Sequence, residues 1–153
     1  MEHPSFDRIL TLTRNPCLDL RKEAYWVVCN AVSGVDFEVR RRILTKGGDD
    51  LISSLVTGLF IQDTRLLMNV LEAFDSLLQL DWYFGLKNTE DSVAYMIERN
   101  EGVAQLEEVQ KHPNKNIYDM VSEILQKHFD GNLNGMNDSV PSSSEKMVGN
   151  FVI

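Results

Sequence analysis

The chain has 153 residues, 43% of them hydrophobic and 25% charged, which suits one globular domain with a sizeable core. Its net charge of −8 speaks against the phosphate backbone of nucleic acid as a partner, because binding there depends on Lys and Arg neutralising phosphates. A basic peptide or a basic protein surface fits that charge better.

Nothing in the opening stretch MEHPSFDRIL has the charged and apolar regions of a secretory signal, and no apolar run approaches the ~18 residues that span a bilayer. Cys17 and Cys29 lie in helical patterns without metal-ligand spacing, so both are expected to be reduced and structural. A soluble protein of the cytoplasm and nucleus is the expectation.

Apolar residues recur at helical spacing along most of the chain. The first predicted helix carries Leu20, Ala24, Val27, Val28 and Ala31 as one stripe and closes at Ser33-Gly34. A short helix over Phe37, Val39 and Ile43 to Leu44 is expected to stop at Gly47-Gly48, and Asp49 or Asp50 to cap the next, which carries Leu51, Ile52, Leu55, Val56 and Leu59. Arg40-Arg41-Arg42, a basic run on the short helix, reads as a solvated face. A longer helix runs from Thr64 to about Leu80, with Leu67, Val70, Leu71, Phe74, Leu77 and Leu78 inward. A polar loop reaches about Asp91. Helices follow over about Ser92 to Glu98, over Val103, Leu106 and Val109 beyond Gly102, and from Ile117 through Leu125 to Phe129. Gly131 is expected to end the ordered part, giving residues 1–130 as a helical stack and 131–153 as a disordered Ser, Asn and Gly rich tail. The last residues, Phe151-Val152-Ile153, read as part of that floating tail.

A shift of 46 residues lays Cys17 on Asp63, Ala24 on Val70, Val28 on Phe74 and Ala31 on Leu77. The apolar positions Ala24, Val28 and Ala31 fall on apolar residues although identities mostly differ. A period of about 40–47 with two or three helices per unit is the signature of armadillo or HEAT repeats, each unit burying its apolar face against a neighbour. The expected fold is all-α: an armadillo-repeat superhelical solenoid of about two and a half to three repeats, whose N-terminal face, if no further repeats precede it, is expected to be covered by a partner or by self-association.

The stretch from Arg21 to Gly34, RKEAYWVVCNAVSG, resembles the K-E-A-A-W-x-x-x-N-x-x-S-G-G motif of importin-α armadillo repeats. Met96-Ile97-Glu98, Gly102, Leu106-Glu107, Val109-Gln110, His112, Asn114, Ile117-Tyr118 and Phe129 resemble that family's closing repeat. There the pattern reads I-E-E-x-G-G-x-x-x-I-E-x-L-Q-x-H-x-N-x-x-I-Y and ends in Y-F. Val35 stands where the motif has its second glycine, Glu101 where the closing repeat has the first of its pair, and His128-Phe129 where it has Tyr-Phe. The resemblance spans about residues 8–130 and implies a divergent, truncated array without the basic segment that binds importin-β.

It further implies that Trp26 and Asn30 line the edge of a groove for nuclear localisation signals, with Glu23 one turn earlier on the same face. An indole face packs on a lysine stem and attracts its ammonium group. A carboxamide both donates to and accepts from a peptide backbone, and a carboxylate pairs with arginine. By periodicity alone a tryptophan on an amphipathic helix reads as core, but Trp26 lies off the Ala24, Val28, Ala31 stripe. The shift of 46 places Glu72 and Ser76 opposite Trp26 and Asn30, so the pair does not recur and binding of a basic signal by this chain alone should be very weak.

Glu98, Glu101, Glu107 and Glu108 form an acidic group in the closing repeat, where the resemblance implies docking of a recycling exportin or nucleoporins; a solvated face is the other reading. His3, His112 and His128 are scattered, and no phosphate loop or nucleophile elbow occurs. No metal, cofactor, catalytic residue, nucleic acid or membrane partner is expected. A short armadillo scaffold that has lost signal binding is the competing function.

Overall fold

The computed structural model describes residues 4–137, and side chains from Phe6 to Phe129. Seven helices occupy the described residues: α1 (Pro4–Leu12), α2 (Leu18–Gly34), α3 (Phe37–Gly58), α4 (Thr64–Tyr83), α5 (Val93–Arg99), α6 (Gly102–Val109) and α7 (Lys115–Asn137). No strand occurs among them, so the fold is all-α. Two compact units divide the chain, one ending at Ser122 and the other beginning at Glu123.

The 46-residue period is written into the backbone. Helix α1 ends at Leu12 and α3 at Gly58, and α2 and α4 begin at Leu18 and Thr64, each pair 46 apart. The turns between them repeat bond for bond. Thr13, Arg14 and Asn15 donate to Leu10, Thr11 and Leu12, as Leu59, Phe60 and Ile61 donate to Val56, Thr57 and Gly58. α1–α2 and the latter half of α3 with α4 are therefore two copies of one helical hairpin, and α4 packs along α2.

Helix α4 follows the expected pattern: Leu67, Val70, Leu71, Phe74, Leu77 and Leu78 are all buried. Its N-cap is Asp63, which accepts from the Leu66 amide. In α2 the stripe is rotated from the expected one. Ala24 and Val28 are buried, but so are Tyr25, Cys29 and Val32, while Leu20 and Val27 are exposed. The rotation follows from two neighbours: α4 lies beside Cys29, Asn30 and Ser33, and Tyr25 turns towards α3. Tyr25 is anchored there by its hydroxyl, which donates to Ser54 O at 2.7 Å.

Helical hydrogen bonding carries α3 across the expected break, although Gly47 alone leaves helical geometry (φ −167°, ψ 44°) and kinks it. Asp49 does not cap the second half. It pairs with Arg99, whose Nε and Nη2 donate to its two carboxylate oxygens at 3.1 and 2.8 Å.

Arg40 is buried, not solvated. Its guanidinium donates to the carbonyls of Val32 and Val35, which end α2, and to Ser76 O in α4. Four carbonyls at a helix C-terminus lack intrahelical donors, and a buried guanidinium supplies several at once.

Helix α4 runs to Tyr83, beyond its expected end, and thereby places Asp81. This buried carboxylate accepts from Ser92 Oγ at 2.8 Å and from the amides of Val93 and Ala94 at 2.7 and 3.0 Å. It satisfies the open donors at the start of α5 from a different helix.

At the α5–α6 junction Glu101 is left-handed (φ 62°), and a Cβ on Gly102 would lie 2.5 Å from Ile97 Cγ2 and 3.0 Å from Ile97 O. The two positions need glycine for different reasons, one for backbone conformation and one for space. Along α7, Ile117, Val121, Ile124, Leu125, His128 and Phe129 are buried, and the boundary between the two units falls between Ser122 and Glu123. The helix passes Gly131, where order was expected to end, and continues to Asn137. One glycine within a helix costs about 1 kcal/mol relative to alanine and does not by itself end it. The rest of the predicted tail, 138–153 with Phe151-Val152-Ile153, and His3 lie outside the described residues.

Candidate functional site

The three groove candidates share α2 at spacings of three and four residues, which puts Glu23, Trp26 and Asn30 on one face. Glu23 and Asn30 are exposed and Trp26 is half-buried. The helix is held in this rotation from behind, by Tyr25, Cys29 and Val32 in the core. Burial pushes the Cys29 thiol up to about 12 and the Tyr25 phenol likewise to about 12, so both stay neutral beneath the exposed face.

The seam between α2 and α4 beside this face is polar. Lys22 Nζ lies 2.9 Å from Asp63, Asn69 Nδ2 donates to Asn30 Oδ1 at 3.0 Å, and Ser76 Oγ and Ser33 Oγ meet at 3.5 Å. The hydrogen bond from Lys22, helped by the Leu66 amide, holds the Asp63 carboxyl below the usual carboxylate range. Asn30 Oδ1 is thus already engaged, which orients its Nδ2 as a donor away from Asn69. Asn69 is the partner sequence reasoning missed. The period of 46 matches it to Glu23, so the signal was present but pointed to the wrong residue.

The two tryptophans differ in availability. Lys87 Nζ sits 4.7 Å above the Trp82 ring, which therefore already holds a cation. Among the described residues no Lys or Arg covers Trp26. Trp26, Asn30 and Glu23 together offer an aromatic face, an amide donor and a carboxylate along one helix. Chemically that set suits one or two residues of an extended basic segment.

The acidic group is less concentrated. Glu98, Glu101, Glu107 and Glu108 are all exposed, but they are spread over α5, the junction and α6. Glu108 lies 3.1 Å from Lys111 and borders a cavity of about 540 Å³ lined also by Leu59, Phe60, Leu67 and Val109. Phe60 is 64% exposed at its rim. Among the described residues no group of three His, Cys, Asp or Glu is placed to hold a metal, and no helix is long and apolar enough to cross a membrane.

Comparison with known proteins adds two findings. Residues 91–142 match the family model of the atypical Arm repeat. Importin subunit alpha-5 of Arabidopsis thaliana is 29% identical over 126 residues, a match covering 78% of this chain. The chain spans only 22% of that relative's length. Helix order and the repeated hairpin agree with these matches: the described residues are all helical, residues 91–142 are similar to the atypical Arm repeat, and the relationship to importin-α is divergent and partial.

Proposed function

We infer that the chain is a repeat scaffold for protein interaction whose α2 face takes a short basic segment of the nuclear-localisation type, as an import adaptor or a piece of one does. The observation that carries this reading is the open face of Trp26 beside an Asn30 carboxamide fixed by Asn69. A peptide lysine lies along the indole, an arginine pairs with Glu23, and Asn30 Nδ2 donates to a peptide carbonyl. A single such pair gives weak affinity. Such a scaffold works in the cytoplasm and nucleus and needs no cofactor or catalytic residue. It acts by binding.

The test is titration of a lysine-rich peptide into the Trp82→Phe variant, which leaves Trp26 as the reporting fluorophore. Saturable change in Trp26 emission, weakened by added salt and lost in Asn30→Ala, is the expected result. No response to the basic peptide, or an equal response to an acidic one, refutes the reading and leaves a scaffold without signal binding.

A second surface has its own observation, the exposed Phe60 at the rim of the cavity beside Glu108. With Glu98, Glu101 and Glu107 nearby in sequence, it suits a protein partner bringing both apolar and basic groups, such as a transport factor. Charge reversal at Glu107 and Glu108 together should then abolish co-purification of a recycling exportin while leaving peptide binding intact.

A further inference from the structure

Contacts along the seam between α2 and α4 fix the relative height of the two helices. Lys22 meets Asp63, Asn30 meets Asn69 and Ser33 meets Ser76, pairs 41, 39 and 43 residues apart. A residue of α4 therefore lies level with the α2 residue about 41 positions before it. Asn69, Glu72 and Ser76 follow one another at three and four residues and share one face of α4. Since Asn69 and Ser76 both reach α2, Glu72 between them borders the same seam. The Cys29 thiol, held up first by burial, is raised further by the Glu72 charge, which agrees with that position.

Glu72 is exposed, and its carboxylate makes no hydrogen bond or ion pair among the described residues. It is level with Ala31, five residues beyond Trp26 and so about 7.5 Å further along the helix. Packed helix axes lie about 8–10 Å apart, which makes the diagonal from Trp26 to Glu72 about 12 Å. That diagonal passes over the Asn30–Asn69 hydrogen bond. Four residues of extended peptide cover about 13 Å and bring the side chains back to the same side.

Arg65 governs the opposite diagonal. It lies one turn before Asn69 on the same face of α4, exposed and level with Ala24. A basic chain crossing in that direction meets a like charge. The α4 side of the seam thus carries a guanidinium before Asn69 and a carboxylate after it, and only the second attracts a cation.

We propose that Glu72 is a second specificity-determining residue of the peptide face: with one lysine on Trp26, it selects another basic residue four positions away in the peptide. In the period of 46 Glu72 holds the place of Trp26, so the second cation is read by charge without an aromatic face. The proposal rests on the α2 face taking a basic segment, and it adds which one: two cations at a spacing of four. Three peptides of equal length, titrated into the Trp82→Phe background with Trp26 emission as the readout, test it. One carries a single lysine, one two lysines four apart, and one two adjacent lysines. The four-apart peptide should bind about two- to fivefold tighter than the single-lysine peptide, the range of an exposed ion pair. It should also bind tighter than the adjacent pair, which has the same charge. Glu72→Gln should remove both advantages and leave the single-lysine affinity nearly unchanged, and Glu72→Lys should make the four-apart peptide bind no better than the single-lysine one. Because Glu72 is exposed, circular dichroism of both variants should show unaltered helix content. Equal affinity for the two doubly charged peptides, or a Glu72→Gln that lowers all three affinities alike, overturns the proposal and leaves the basic-segment reading standing. Binding of none of the three peptides overturns that reading and the proposal with it.

Discussion

The carboxamide of Asn69 donates to that of Asn30 at 3.0 Å, across the seam where α4 lies along α2. One hairpin thus orients a candidate ligand-binding group of the other, and the site is a property of the stacked pair.

Asn69→Ala should therefore act on binding more than on stability. The bond is exposed, so its loss costs no more than about 0.5 kcal/mol, within the usual range of surface substitutions. Asn30 is then free to rotate, and affinity for a basic peptide should fall severalfold. Peptide titration alongside urea denaturation separates the two quantities.

Asp81→Ala should cost about 2 kcal/mol, because it strips three hydrogen bonds from the buried start of α5. Asp81→Asn should recover part of that, its carbonyl oxygen still accepting while its amide faces donors. Urea unfolding of the three proteins, ranked wild type, Asn, Ala, is the check.

Glu101→Gly should stabilise the chain by about 1 kcal/mol by relieving the left-handed backbone of a residue with a Cβ. Its neighbour behaves oppositely. Gly102→Ala should destabilise, since the new Cβ meets Ile97 side chain and backbone. Thermal melts of the two variants should move in opposite directions.

Cys17 is exposed and Cys29 buried, so a thiol reagent should modify Cys17 rapidly in the native chain and Cys29 only on unfolding. The Cys29 thiol is moved from 9.0 to about 12 by burial. A raised acid favours the neutral native form, so its contribution is complete below pH 9 and is lost as pH climbs towards about 12. Cys29→Ala should flatten that alkaline fall in the urea midpoint.

Asp63 and Asp49 are held below the ordinary carboxylate value of about 3.9, the first by Lys22 and the second by Arg99. Their stabilisation is present above that value and disappears as pH drops through their lower native ones. Both groups face water, so the effect is modest and weakened by salt. Asp63→Asn should make the acid limb of the stability curve less steep.

Periodicity in the chain determined the helical class, the inward face of α4 and the 46-residue repeat, which the turn hydrogen bonds then reproduce residue for residue. These are local or translational properties, set by side-chain spacing along one segment. Where the resembled glycine pair is broken, at Glu101, the difference was visible as a letter but its meaning lay in a φ of 62°. Contacts between segments were decided only by the tertiary structure. The rotation of α2 depends on which sides α3 and α4 take, so Leu20 and Val27 turned outward although their spacing suited a core. Arg40 sits in a run of three arginines, yet it alone is drawn inward by the carbonyls that end α2. Asp81 caps a helix that starts twelve residues later, and Asn69 holds an Asn30 thirty-nine residues away. Buried polar groups need partners wherever the fold brings them, and that need leaves no period in the sequence.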